Sequence, residues 1–185
     1  MEKLVLIDGH SILNRAFYGV PNLTNSEGLH TNAVYGFLNI LFKVLDEEKA
    51  DYLAVVFDLK APTFRHKMFD AYKGTRKPMP EELHEQVPLM KEVLTAMGVP
   101  ILTKEGYEAD DILGTIAKRE QKDGYEVTIL SGDRDLLQLS DTHIRICLPK
   151  TSRGTTEVHN YYPEDVIREY QVTPEQFIEV KALMG

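Results

Sequence analysis

Glu108, Asp110 and Asp111 place three carboxylates within four positions, at the start of a segment with helical periodicity, EADDILGTIAKRE. Like charges that close raise one another's pKa and weaken a fold. One or two acids there are ordinary, because an N-cap side chain satisfies a free N–H and the helix dipole favours negative charge. The cluster gains meaning from its echoes. KLVLID ends in Asp8, YLAVVFD ends in Asp58, and EVTILSGDRD runs into Asp133 and Asp135. Each is a short apolar run of the kind buried in a parallel sheet. If the strands run parallel, all seven carboxylates meet at one edge. Such a set repels itself unless it is protonated or holds cations, and all-oxygen donors suit Mg²⁺ or Mn²⁺. Zinc fits less well, since the six His are scattered and there is one Cys. Two cations about 3.5–4 Å apart hold both the attacking and the leaving oxygen of a phosphoryl displacement.

A phosphate substrate needs cationic contacts. The chain carries a formal charge of −8, which argues against a general nucleic-acid binder. Its distribution matters more. Lys60, Arg65, Lys67, Lys73, Arg76 and Lys77 stand against Asp70 alone, a local +5 that leaves −13 elsewhere. Tyr72 adds an aromatic face beside Lys73, and a basic groove with an aromatic ring suits single-stranded nucleic acid. Other chemistries lack their residues. Ser131 precedes Gly132 but ILSGDRD is not G-x-S-x-G, and no phosphate-binding G-x-x-x-x-G-K-[ST] loop is present. Position 10, where an aspartyl-phosphate phosphatase wants a second Asp, is His10.

These residues need a scaffold. The pattern predicts strands over Lys3–Asp8, Tyr52–Asp58, Val99–Leu102 and Glu126–Asp135, with two later strands in HIRICL and TTEVHN. Helices are expected over Ser11–Gly19, Thr31–Lys49, Arg65–Tyr72, Glu81–Met97 with a kink or break at Pro88, the acid-led segment to Gly124, Pro163–Tyr170 and Pro174–Met184. Alternating strands and helices imply an α/β fold, a mainly parallel central sheet with helices on both faces. Ligands of such sheets bind beyond the carboxyl ends of the strands.

A chain of 185 residues, 43% hydrophobic, is expected to form one domain, residues 1–185. No apolar run approaches the ~18 residues of a membrane span. MEKLVLIDGHS lacks the long apolar region of a signal peptide. Cys147 has no partner and reads as a packed thiol. A cytoplasmic monomer is the expectation.

LIDGHSILNRAFYG, VVFDLKAPTFRHKMFDAYKGTRKPMPEEL, GYEADDILGTIA and SGDRDLLQL together resemble the N-terminal 5′→3′ exonuclease domains of bacterial DNA polymerases I, within the 5′-nuclease or flap-endonuclease superfamily. The resemblance runs across essentially the whole chain. It implies a resolvase-like or PIN-like fold with a basic helical arch at about 72–97. It implies a two-metal nuclease, using Mg²⁺ or Mn²⁺, that cuts DNA with a 5′ single-stranded arm or nick and removes RNA primers from RNA–DNA hybrids. By the same resemblance Asp8, Asp58, Glu108 and Asp110 surround the first metal, and Asp133 and Asp135 the second. Asp111 belongs to the same patch at its outer edge. Lys73 and Arg76 stabilise charge on the phosphate. Arg15, Tyr72, Lys73 and Arg76 contact DNA by that resemblance, and the charge of the basic segment adds Arg65 and Lys77 as expected DNA contacts. Family members continue beyond VKALMG into a stretch with two further aspartates and a helix–hairpin–helix element. A C-terminally truncated chain with weakened or lost cleavage is therefore expected. Two alternatives stay open: a non-catalytic nucleic-acid-binding fragment and a related metal-dependent ribonuclease.

Overall fold

The computed structural model describes residues 1–74, 77–152 and 155–184. Six strands form one sheet in the order β3-β2-β1-β4-β5-β6. They are β1 (Lys3–Asp8), β2 (Tyr52–Val56), β3 (Ile101–Leu102), β4 (Glu126–Leu130), β5 (Ile144–Ser152) and β6 (Thr155–Tyr161). The first five run parallel, and β6 returns antiparallel to β5. The helices are α1 (Gly9–Gly19), α2 (Asn32–Glu48), α3 (Phe64–Met68), α4 (Glu81–His84), α5 (Gln86–Ala96), α6 (Ala109–Lys122), α7 (Pro163–Tyr170) and α8 (Phe177–Met184).

Period-two alternation along each strand divides the core into two layers. Val5, Ile7, Val55 and Phe57 face α1, α2 and α5 through Leu13, Phe37, Leu41, Met90 and Leu94. Leu6, Ala54, Val56, Val127 and Ile129 face the other way, onto Leu113 and Ala117 of α6 and Val166 of α7. Residues buried on both sides explain why the strands read as unbroken apolar runs. On the first face α1 and α2 approach closely: a Cβ on Gly36 would lie 2.9 Å from Ala16 Cβ and 2.8 Å from Val20 Cγ2.

Several boundaries differ from the sequence expectation. β2 stops at Val56, so Asp58 lies two residues past the strand rather than at its end. β4 stops at Leu130, and Arg134–Leu139 wind into a 3-10 turn instead of extending the strand. The third strand is two residues, α3 is five, and α8 begins at Phe177. Between Glu81 and Ala96 there are two helices, as one option held, but the break precedes Gln86 and Pro88 sits in the first turn of α5. A proline in that turn leaves no intrahelical hydrogen bond to lose. The buried Gln86 amide fixes the break. Its Oε1 accepts from Ala33 N at 2.8 Å and Val34 N at 3.2 Å, capping α2, while Nε2 donates to Asn32 Oδ1 at 3.0 Å and to Glu82 O at 2.9 Å. This docks α4 and α5 on the body, with Leu83, Met90 and Leu94 in the first core layer. Of the segment expected to form an arch, the described residues bordering the acidic edge are Tyr72, Lys73 and Lys77 to Pro80.

The strand order reverses at β1. From there the chain moves outward to β2 and β3, then returns to place β4 and β5 on the other side. The crevice at the carboxyl ends of β1 and β4 is the topological switch point, where such sheets bind ligands.

Candidate active site

Asp8 ends β1 at the floor of that crevice. It is 5% exposed and caps α1, accepting from Ser11 N at 3.1 Å and from Ser131 Oγ at 2.8 Å. Ser11 Oγ in turn accepts from Gly132 N at 2.9 Å, and Ser131 Oγ accepts from Asp133 N at 3.0 Å. Two serines thus tie the ends of β1 and β4 together. Burial raises the Asp8 carboxyl to about 6, against the pull of these donors.

The next residue must be glycine. A Cβ on Gly9 would lie 2.5 Å from two Phe57 ring carbons, and that ring is fully buried. Phe57 also meets His10 edge-on, with centroids 5.1 Å apart. His10 Nδ1 lies 3.5 Å from Asp58 Oδ2. Asp58 Oδ1 accepts from Ala109 N, the first helical residue of α6, at 2.7 Å. Burial would raise the Asp58 carboxyl, but His10 and that N–H outweigh it and hold the group below its ordinary range.

Glu108 takes the N-cap position of α6, and its N–H donates to Asp111 Oδ2 at 3.0 Å. Its carboxylate is surrounded by donors from the basic segment: Lys73 Nζ at 2.6 Å, Tyr72 Oη at 3.1 Å and Arg65 at 3.2 Å. Lys73 adopts φ +57°, which an L-residue rarely does outside functional or turn positions. Asp111 is gripped by Arg65 in two-pronged fashion, at 2.7 and 2.8 Å, and this pairing holds its carboxyl below the ordinary range. Such forks are among the stronger charge-assisted contacts. Asp110 faces the opposite situation. Burial raises it most, the charges of Asp8, Asp133, Asp58 and Glu108 add to this, and its carboxyl rises to about 7.

Asp133 caps the 3-10 turn by accepting from Asp135 N at 2.8 Å. Asp135 in turn pairs with Lys181 Nζ of α8 at 2.7 Å.

Asp8, Asp58, Glu108, Asp110, Asp133 and Asp135 line one open cleft of about 490 Å³, bordered by Tyr72, Lys73 and Lys77. Asp111 stands outside it, turned to Arg65. Most of the six are turned toward the donors described above, and among the described residues no three His, Cys, Asp or Glu groups close into a ligand cage. Arg15 lies on another flank, in a groove with Arg134, Lys150 and His159. Arg76 lies outside the described residues. Sequence reasoning missed Ser11, Ser131, His10 and Lys181. The serines flank two of the acids in sequence and were findable as polar residues beside a strand end. Lys181 carried no local signal.

Cys147 is buried and donates to Asn160 Oδ1 at 2.9 Å, and burial pushes its thiol up to about 12. Among the described residues no helix is long and apolar enough to cross a membrane.

The chain has curated relatives. It is 49% identical over 184 residues to DNA polymerase I of Bacillus caldotenax and of Bacillus subtilis (strain 168), matching 100% of this chain and 21% of each relative. Thermostable DNA polymerase I of Thermus thermophilus is 42% identical over 183 residues. The chain spans about a fifth of the length of these curated relatives. A crystal structure of the T5 D15 protein co-crystallised with metal ions superposes with a TM-score of 0.74 at 24% identity, over 100% of this chain and 66% of that one. Human GEN1 in complex with Holliday junction DNA superposes at 0.61, with 15% identity, over 99% of this chain and 44% of that one. The family model for the 5′-3′ exonuclease N-terminal resolvase-like domain matches residues 3–171, and the chain belongs to that family.

Proposed function

We propose that the chain hydrolyses phosphodiester bonds in DNA that carries a 5′ single-stranded arm or nick, as a divalent-metal-dependent 5′→3′ exonuclease and flap endonuclease acting as a monomer. RNA paired to DNA is a further substrate. The observation that carries this reading is the convergence of six carboxylates, from four segments, on one cleft walled by Tyr72, Lys73 and Lys77. An all-oxygen donor set whose members raise one another's pKa suits a hard cation. Asp8, Asp58, Glu108, Asp110, Asp133 and Asp135 would hold Mg²⁺ or Mn²⁺, two ions in the complete site. Bound there, such ions lower the pKa of water and stabilise a leaving oxygen.

The chain's own groups do the rest. Lys73 Nζ, at the cleft wall, offers a charge-assisted donor to a phosphate oxygen, and Arg76 is assigned the same role by family resemblance. The Tyr72 ring and Lys77 meet the strand where it enters. Asp111 positions Arg65 rather than holding metal, because it stands outside the cleft with its carboxylate forked onto that guanidinium. Arg65 thereby braces Glu108, and its contact with DNA is indirect. Arg15, on the flank shared with Arg134, meets DNA away from the Lys73 side.

The test uses a 5′-labelled flap DNA with Mg²⁺ or Mn²⁺, alongside EDTA and an Asp110→Asn variant. Cleavage that needs the metal and is lost in the variant supports the proposal. Cleavage that persists in EDTA overturns it. DNA binding without cleavage under any metal would favour a binding-only fragment, and preference for RNA alone would favour the ribonuclease reading.

A further inference from the structure

A second cavity, of about 680 Å³, adjoins the carboxylate cleft on the other side of Asp58, and His10, Asp58 and Met79 line both. Its character is different. Leu59, Met79, Val87 and Pro88 give it an apolar wall, and Asp58 is its one acid among the described residues. Lys60, His84 and Lys91 supply its basic groups. Lys60 Nζ lies 2.5 Å from His84 Nε2, so the imidazole nitrogen accepts and two ammonium N–H groups stay available. Lys91 Nζ sits 4.8 Å from the centroid of the Phe57 ring, a contact that holds the ammonium without neutralising it. Lys60 and Lys91 make no carboxylate pair among the described residues.

An apolar wall beside two uncompensated cations suits a group that is flat and apolar on one side and anionic on the other. A nucleotide has this form. The neighbouring cleft gives the site a purpose. Six carboxylates repel a phosphate backbone, so a strand crossing them needs cationic anchors on both sides. Lys73 and Lys77 stand on one side of the cleft, and Lys60 and Lys91 stand beyond Asp58. We propose that this cavity is a subsite for one nucleotide of the single strand past the carboxylate cleft, its base against Leu59, Met79, Val87 and Pro88 and its phosphate on Lys60 and Lys91. The inference rests on the reading that the chain acts on DNA.

The test is fluorescence anisotropy of the chain with labelled duplexes bearing 5′ arms of zero, one or four nucleotides. Ca²⁺ replaces Mg²⁺, because its looser coordination disfavours hydrolysis. The parent is compared with Lys60→Ala/Lys91→Ala and with the single Lys60→Gln and Lys91→Gln variants, after circular dichroism shows each folded. In the parent, affinity should rise with arm length. The double variant should bind the four-nucleotide arm at least about fivefold more weakly, bind the armless duplex within about twofold of the parent, and lose about 1.4 from the salt slope, as two released phosphate contacts require. An abasic arm should bind more weakly than a normal one, reporting the apolar wall. Equal losses on armed and armless DNA, or no loss, overturn the subsite and leave the DNA-cleaving reading standing. A parent that binds none of the duplexes counts against both.

Discussion

Replacing Asp110 by Asn should stabilise the metal-free protein, and only where the carboxyl would be ionised. In the folded chain its pKa rises from 3.8 to about 7, chiefly by burial and then by four neighbouring carboxylates. The folded state therefore holds that proton more tightly than the unfolded state. Stability from this group is intact below pH ~4 and lost as pH climbs through about 7. A rise of that size corresponds to about 4 kcal/mol. Part of it vanishes because neighbouring carboxyls readjust when one is neutralised, so the working figure is ~2 kcal/mol at pH 8. The amide keeps the shape and removes the charge. In urea titrations with EDTA, Asp110→Asn should exceed the parent by about 2 kcal/mol at pH 8, with the gain shrinking roughly fourfold by pH 4.5. Millimolar Mg²⁺ should then stabilise the parent more than the variant, since binding to the folded state alone adds stability by mass action. A variant no more stable than the parent at pH 8, or a gain that ignores pH, would refute the electrostatic reasoning.

Lys73→Ala should lower single-turnover cleavage by about 10²-fold with little change in DNA affinity, as expected for a donor that acts on developing charge. Equal losses in both would make it a binding residue. Asp111→Ala should cost about 2 kcal/mol in urea titration, through the lost Arg65 fork and α6 cap, while the Mg²⁺ concentration for half-maximal cleavage stays within about twofold. Gly9→Ala should cost about 2–3 kcal/mol by forcing the Phe57 ring aside, read from the urea midpoint. Cys147 should react with a thiol reagent at pH 8 only as fast as the chain unfolds, because its thiol is buried and its pKa is pushed up to about 12.

Much of the scaffold was legible because its signals are local. Val5 to Ile7 and Ala54 to Val56 are continuous apolar runs ending near acids, and such runs have few alternatives to a doubly covered parallel sheet. The acid-led helix was legible from its cap and period. What escaped depends on partners far away in sequence. The Arg65–Asp111 fork spans 46 positions and the Asp135–Lys181 pair links a 3-10 turn to a helix still farther on. Neither leaves a spacing signature. The strand ends near Asp58 and Asp133 were read too long because the residues just past each strand, apolar Phe57 in one case and Ser131 in the other, look the same whether the ladder continues or turns. The break between α4 and α5 escaped because it is set by the buried amide of Gln86, whose partners Ala33 and Val34 lie 53 and 52 positions away.

Three of the acids in the cleft accept, through the side chain, a backbone N–H at the start of a helical segment. Asp8 opens α1, Asp133 opens the 3-10 turn, and Asp58 receives the first N–H of α6. An apolar replacement at any of the three strips a cap as well as a charge, so under the proposed function chemistry and architecture should fail together. Only amides and hydroxyls keep the backbone contact while silencing the charge. A relative carrying Asn or Ser at these positions would be one in which selection retained the scaffold after abandoning the reaction.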